Sequence, residues 1–369
     1  MTRALRNGLR ILATLALLAA GAAFLLSAVL RSEAARVRVE AAARSALGAP
    51  VRFRGVSTEL APPALLLRHV SVSDPADPTD DGPPLEAARV RLSLAPLPLL
   101  IGRLEVRDLR IDQGRAVLHW SRPGAAALLL RPPEAGPRAA SGRPASRAPG
   151  VRRLSLHDCE LVLVDDRLAP PPALAIEGLH GMVTLEAGGS RIRLAGRVPA
   201  GGRVAAEGTL ASDGALHLLA RLDDVPLAPF APWFGGGVGP LPGTASGTLS
   251  IARQAGEPQA AVQADLVAAP VALALGSALL RGPVSLRGQL VLGAAETTGR
   301  FELDVTEAEL LGPGAFRKPP GRLASADGLL RPRPDGTLGV DALRLRLKGV
   351  ALEGAVRGGA TPAAAEGER

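Results

Sequence analysis

Residues Arg191 to Val198 read RIRLAGRV. Ile192, Leu194 and Val198 fall in one phase of a two-residue period, and Arg191, Arg193 and Arg197 fall in the other. Successive side chains of a β-strand point to opposite faces, so this octapeptide predicts a strand with one apolar and one charged face. The rhythm recurs along the chain. In ARVRLSL, Val90, Leu92 and Leu94 alternate with Arg89, Arg91 and Ser93. In FELDVTE, Phe301, Leu303 and Val305 alternate with Glu302, Asp304 and Thr306. In LRLRLK, Leu343, Leu345 and Leu347 alternate with Arg344, Arg346 and Lys348. VSLRGQLVL and ASGTLSI behave similarly, with Gly breaking the beat.

Gly, Pro or Asp punctuates these runs at intervals of roughly 8–12 residues, the spacing of short antiparallel strands. Gly and Pro are abundant, at 43 and 33 residues, and past Pro50 there is no convincing amphipathic segment of helix length. The expected fold is therefore mainly β, a long antiparallel sheet, apolar on one face and charged on the other. That apolar face must be covered. Helices to cover it are missing, and a sandwich core would be Leu, Val and Ala with few large aromatics. What remains is a sheet curled on itself, as a barrel or an open trough. A closed curl is an ordinary core. An open one is an apolar groove that needs acyl chains or another ligand to fill it in water. Some 18 strands about 4.8 Å apart would extend roughly 85 Å.

Composition removes other classes. The formal charge is +8, but the basic residues are dispersed along strand phases, which argues for a solvated face rather than a nucleic-acid patch. Aromatic residues are 2% of the chain with no Tyr, so stacking platforms for bases or sugars are nearly excluded. Lys318 and Lys348 are the only lysines among 43 basic residues. Cys159 is the sole cysteine, leaving no disulfide framework and no CxxC motif.

Ile11 to Leu30 are 20 consecutive residues without a charge. At 1.5 Å per residue this spans a hydrocarbon core of about 30 Å and exceeds a signal-peptide h-region. Residues 1–31 read as a cytoplasmic tip and an uncleaved single-pass anchor. Arg3, Arg6 and Arg10 before the span nearly balance Arg31, Arg36 and Arg38 after it. Ser32 to Leu47 predicts a helix capped by Ser32 and stopped by Gly48 and Pro50. An N-terminal β unit follows, so that 32–130 form one region. Arg131 to Gly150 read as a flexible Pro/Ala/Arg linker, 151–357 as a larger β unit, and 358–369 as a disordered tail.

No catalytic constellation stands out. His69, His119, His157, His180 and His217 are scattered, without HExxH or a Cys/His cluster. His157-Asp158-Cys159-Glu160 is the densest reactive group, with His157 and Cys159 in one strand phase, but a Cys–His nucleophile there lacks an orienting partner. Asp165-Asp166 and Asp223-Asp224 alternate across faces or occupy turns. Asp74, Asp77, Asp80 and Asp81 lack the spacing and closing Glu of an EF-hand. Gly235-Gly236-Gly237 precedes no GK[ST], and there is no GxSxG. The reading is a non-enzymatic protein with no cofactor, no metal and no nucleic-acid partner.

The order of the segments resembles a known family. After the anchor and short helix, LGAPVRFRGVSTELAPPALLLRHVSVSDP and then LEAARVRLSLAPLPLLIGRLEVRDLRIDQGRAVLHW resemble the opening of AsmA-like proteins. VRRLSLHDCELVLVDDRLAPPPALAIEGLHGMVTLEAGGSRIRLAGRV resembles the middle region of the DUF748 branch, with Asp165 or Asp166, Pro170 to Pro172, Gly178 and Gly181 as its markers. The likeness covers 1–130 well and 151–270 moderately, and beyond 270 it is only compositional. Each motif is degenerate, and the signal lies in their order.

The resemblance implies a bacterial inner-membrane protein with its bulk in the periplasm. It also implies a β-taco groove related to the bridge-like lipid-transfer superfamily, and a role in phospholipid traffic or outer-membrane homeostasis. The chain is short for that superfamily, which argues for oligomerisation, a partner or a local role over a complete conduit. The expected partners are phospholipid or another acyl-chain lipid, the inner membrane and envelope proteins. The candidate groove residues are Val90, Leu92, Leu94, Leu104, Val106, Leu154, Leu156, Ile192, Leu194, Phe301, Leu303, Val305, Leu343, Leu345 and Leu347. The alternative is a structural or assembly factor for envelope or secretion proteins, similar in design to the small periplasmic type II secretion protein N.

Overall fold

The alternation is realised as strands. In the computed structural model the described residues are 51–60, 63–72, 85–95, 106–119, 151–165, 171–186, 188–234, 241–257, 259–275, 278–292, 297–312, 316–332, 338–347 and 350–356. The expected anchor, the Ser32–Leu47 helix, the linker, the tail and Leu104 lie outside them. Among the described residues no helix is long and apolar enough to cross a membrane. They form nineteen strands and one short 3-10 helix. The chain divides into two compact units, with boundaries at Ala116/Val117 and His157/Asp158.

The first unit holds β1 (Val51–Arg52), β2 (Gly55–Leu60), β3 (Pro63–Val72), β4 (Leu85–Leu94), most of β5 (Val106–His119) and the beginning of β6 (Arg153–Val164). β1 and β2 pair end to end along one edge of β3, β4 pairs with its other edge, and β5 pairs with β4, all antiparallel. Directly opposed residues share a face, so the registers give the rows Val56–Leu67–Val90–Ile111 and Thr58–Leu65–Leu92–Leu109. This face is buried along β3 and half-buried at Val56, Leu92, Leu109 and Ile111. Leu65 is 2% exposed, and Val51, Phe53, Leu67, Val70, Val72, Ala87 and Val90 form one buried cluster. The chain returns from β5 in a different sense. The N–H of Arg152 donates to the carbonyl of Arg107 at 2.7 Å, setting the start of β6 beside the start of β5, as in a parallel pair. A connection of more than a dozen residues, such as the one between these strands, is what a parallel crossover requires.

The second unit is an antiparallel succession. β7 (Ala173–Glu186), β8 (Gly189–Arg197), β9 (Arg203–Ala211), β10 (Leu216–Pro226), β11 (Thr244–Arg253), β12 (Ala260–Leu275), β13 (Ala278–Leu292) and β14 (Thr297–Asp304) pair in sequence order. β15 (Glu309–Leu311) continues beside β13 beyond the end of β14, and β16 (Arg317–Lys318) pairs with β15. β17 (Ala324–Pro332) returns beside β14, followed by β18 (Leu338–Leu347) and β19 (Val350–Val356). Among the described residues β19 pairs with β18 alone, so the sheet does not close.

Several strands are kinked toward one end. β7 shifts register at Gly178 (φ +57°), β10 at Asp224 (φ +52°), and β12 between Ala268 and Val271. A bulge bends a strand and increases its twist. Side chains pin two of these. The Asp224 N–H donates to Ser246 Oγ at 2.9 Å, and the Ser246 hydroxyl donates back to Asp224 Oδ1 at 3.2 Å. Thr244 Oγ1 donates to the Ala269 carbonyl at 3.1 Å. Past the kinks the second unit buries its core: Val271, Leu280, Val284, Val305, Ala308 and Ala324.

Candidate functional site

The registers of the second unit compose an apolar face. One row runs Val183–Ile192–Gly208–Leu218–Ile251–Val262–Leu290–Gly299. The next runs Gly181–Leu194–Ala206–Ala220–Leu249–Ala264–Gly288–Phe301–Gly328. The third runs Gly196–Val204–Leu222–Gly247–Leu266–Leu286–Leu303–Ala326–Leu345. No member carries a polar side chain. Phe301, the aromatic member, stands between Gly288 and Gly328, so its ring has room over two strands that lack side chains there.

This face is not buried like that of the first unit. From β8 through β13 its Leu, Ile, Val and Ala side chains are only half-buried, while the charged phase is exposed. Toward the kinked end the same strands pass into the buried core, and Val198, Val225 and Ala245 are buried there. The face is thus half-open over most of each strand and closed at one end.

Lys318 secures that closed end. It is 4% exposed, and its ammonium donates to the carbonyls of Val305 at 2.8 Å, Thr306 at 2.9 Å and Ala308 at 2.7 Å. Three donors meet three carbonyls of the turn between β14 and β15. Burial pushes its pKa below the ordinary lysine value, and the carboxylates of Glu307 and Asp304 pull it back up. Asp304 lies below the ordinary carboxyl value because the side chain and N–H of Thr306 hydrogen-bond its carboxylate.

The opposite face carries charge in ladders. Asp265, Arg287, Glu302 and Asp327 are successive rung partners, and Arg344 opposes Asp327. Arg287 and Asp265 approach to 3.8 Å, and Arg346 lies 3.4 Å from Asp327. Two shallow concavities lie among these side chains, of about 480 Å³ around Arg191, Arg193 and Glu207 and about 660 Å³ around Arg287, Arg300 and Arg344. Both mix acids with arginines, so neither concentrates one sign of charge. Apolar side chains are interspersed on this face, Leu219 being 45% exposed.

The sequence-derived groove candidates separate by environment. Ile192, Leu194, Phe301, Leu303 and Leu345 lie in the half-open rows of the second unit, with the half-buried Leu347 opposite Ala324. Leu343 is two residues from Leu345 in β18. Val305 belongs to the buried core beside Lys318. In the first unit Val90 and Leu94 are buried, and Leu92, Val106, Leu154 and Leu156 are half-buried. The rows through β9 to β12 escaped the candidate list because Gly and Ala dilute their alternation, although AAVQADLVA (Ala260–Ala268) keeps the period.

Among the described residues no group of three or more His, Cys, Asp or Glu is placed to hold a metal. His157 is exposed, Cys159 is buried, and Asp158 between them has φ +54°, which interrupts the simple alternation. Asp165 is 2% exposed, and its N–H donates to the Pro172 carbonyl at the turn into β7. No protein-family model matches the chain, and no curated protein matches it.

Proposed function

We propose that the chain is a non-enzymatic lipid-handling protein whose second unit holds acyl chains of phospholipid on its apolar face. The observation that carries this reading is the set of three rows crossing β8 to β14 without a polar side chain, yet only half-buried. Water against aliphatic surface is unfavourable by about 25 cal/mol per Å², and an acyl chain removes that surface without asking for hydrogen bonds. The dimensions agree. Six residue steps from Leu216 to Leu222 run roughly 20 Å at 3.3 Å each, against about 15 Å for one leaflet's share of a 30 Å hydrocarbon core. Leu, Val, Ala and Gly give a smooth lining without the aromatic hydrogen-bond donors that select polar ligands.

The place we assign it is that of an AsmA-like protein, anchored in a bacterial inner membrane by Ile11–Leu30 and exposing its β units to the periplasm. The role we assign it is in lipid traffic, alone or with envelope partners. The test is native mass spectrometry of the full chain released from detergent with added phospholipid. Phospholipid adducts that Leu194→Asp depletes support the reading. A chain that stays lipid-free but crosslinks to outer-membrane assembly or secretion proteins sinks it in favour of an assembly factor.

A further inference from the structure

We propose that Arg253 anchors the anionic phosphodiester headgroup of the lipid held on the apolar face, an inference that rests on the function proposed above. Arg253 ends β11 and opposes Leu216 in the antiparallel register. It is in phase with Gly247, Leu249 and Ile251, whose partners on β10 are Leu222, Ala220 and Leu218. It therefore stands on the apolar face. Among the described side chains of the half-open part of that face it is the one charged residue, while Lys318, in register with Leu310 and Leu280, sits at the buried end.

Its position along the strand is as informative as its phase. The face is closed at the kinked end by the cluster of Val271, Val284, Val305 and Ala324. Arg253 is at the other end, six residues beyond Gly247, or roughly 20 Å at 3.3 Å per residue. A lipid with its tails toward the closed end puts its phosphate at the Arg253 rung, since one leaflet's acyl layer is about 15 Å deep.

The guanidinium is held in place without being used up. Its Nε and Nη2 both donate to one acceptor, the Gly214 carbonyl, at 3.2 and 3.0 Å. A guanidinium has five N–H donors, so this clamp to the β9–β10 turn orients the fork and leaves others for a ligand. In the same turn, Asp213 Oδ1 accepts the Ala215 N–H at 3.0 Å. A half-buried arginine beside aliphatic surface, already oriented, suits a phosphodiester joined to acyl chains.

The full chain is offered phosphatidylglycerol or diacylglycerol with the same acyl chains in mixed micelles, and uptake is read by native mass spectrometry. The wild type is expected to take up phosphatidylglycerol about tenfold better, the scale of one charge-assisted hydrogen bond. Arg253→Gln should erase that preference while diacylglycerol uptake stays unchanged, and Arg253→Lys should keep most of it. A preference that survives in Arg253→Gln overturns the assignment, as does inorganic phosphate binding to the wild type with no preference between the lipids. Uptake of neither lipid by the wild type sinks the underlying reading as well. Diacylglycerol uptake without any Arg253-dependent preference sinks only the anchor.

Discussion

Lys318 Nζ lies 2.7 Å from the carbonyl oxygen of Ala308, a residue with no exposed surface, and this contact ties β16 to the turn leaving β14. One of only two lysines in an arginine-rich chain is placed where a compact ammonium meets three carbonyls in three directions. A planar guanidinium cannot do that. Lys318→Met strands three acceptors in a buried turn, and Lys318→Arg overfills the site. Each is expected to destabilise the second unit by roughly 3 kcal/mol, measured by urea denaturation. Wild-type stability in Lys318→Arg would show that charge alone suffices.

Asp304 sets a dependence on acid. Hydrogen bonds from Thr306 favour its ionised form, so its folded pKa lies below the ordinary value of 3.8. A carboxyl depressed on folding contributes stability above its unfolded pKa, and that contribution is lost as pH falls through the folded one. The urea midpoint should therefore decline below about pH 4, and Asp304→Asn should flatten the decline while lowering the midpoint at neutral pH. An unchanged acid limb in Asp304→Asn would remove this residue from the linkage.

The two ends of the apolar face should answer differently to the same insult. Leu280 is 3% exposed in the closed cluster, so Leu280→Ala should cost about 3 kcal/mol. Leu194 and Leu249 are half-buried in the open rows, and Leu194→Asp or Leu249→Asp should leave the fold cooperative while cutting lipid adducts severalfold. Unfolding of both aspartate variants, seen by far-UV circular dichroism, would mean that the face is a closed core.

Two glycines on that face provide a paired control. A Cβ at Gly208 would run into the backbone of His217 and Leu218 on β10, whereas one at Gly288 meets only the Arg300 carbonyl at 3.5 Å. Gly208→Ala should destabilise by more than 1 kcal/mol, and Gly288→Ala should be neutral or stabilising by about 0.5 kcal/mol. Equal thermal shifts in the two alanine variants would contradict these registers.

Much of this architecture is legible in the chain because alternation is a local property. RIRLAGRV becomes β8 with Ile192 and Leu194 on the apolar face, and FELDVTE supplies β14 and its continuation to Val305. Arg253 was not singled out from the sequence, although ASGTLSIAR puts it in phase with Leu249 and Ile251, a charge on the wrong beat. Lys318 was not legible. Nothing in RKPPG announces three carbonyls from residues 10 to 13 positions upstream.

By itself, then, the order of residues determined the strands and their two-faced character, because side-chain period and turn chemistry act over a few residues. Only the tertiary structure decided which apolar faces are closed. Val90 and Ile192 read alike in sequence, yet Val90 is buried with Phe53 and Leu67, while Ile192 remains half-open between Val183 and Gly208. The physical reason is that burial depends on where bulges bend the sheet and on what residues distant in the chain bring against it. Those are long-range events to which a two-residue period is blind.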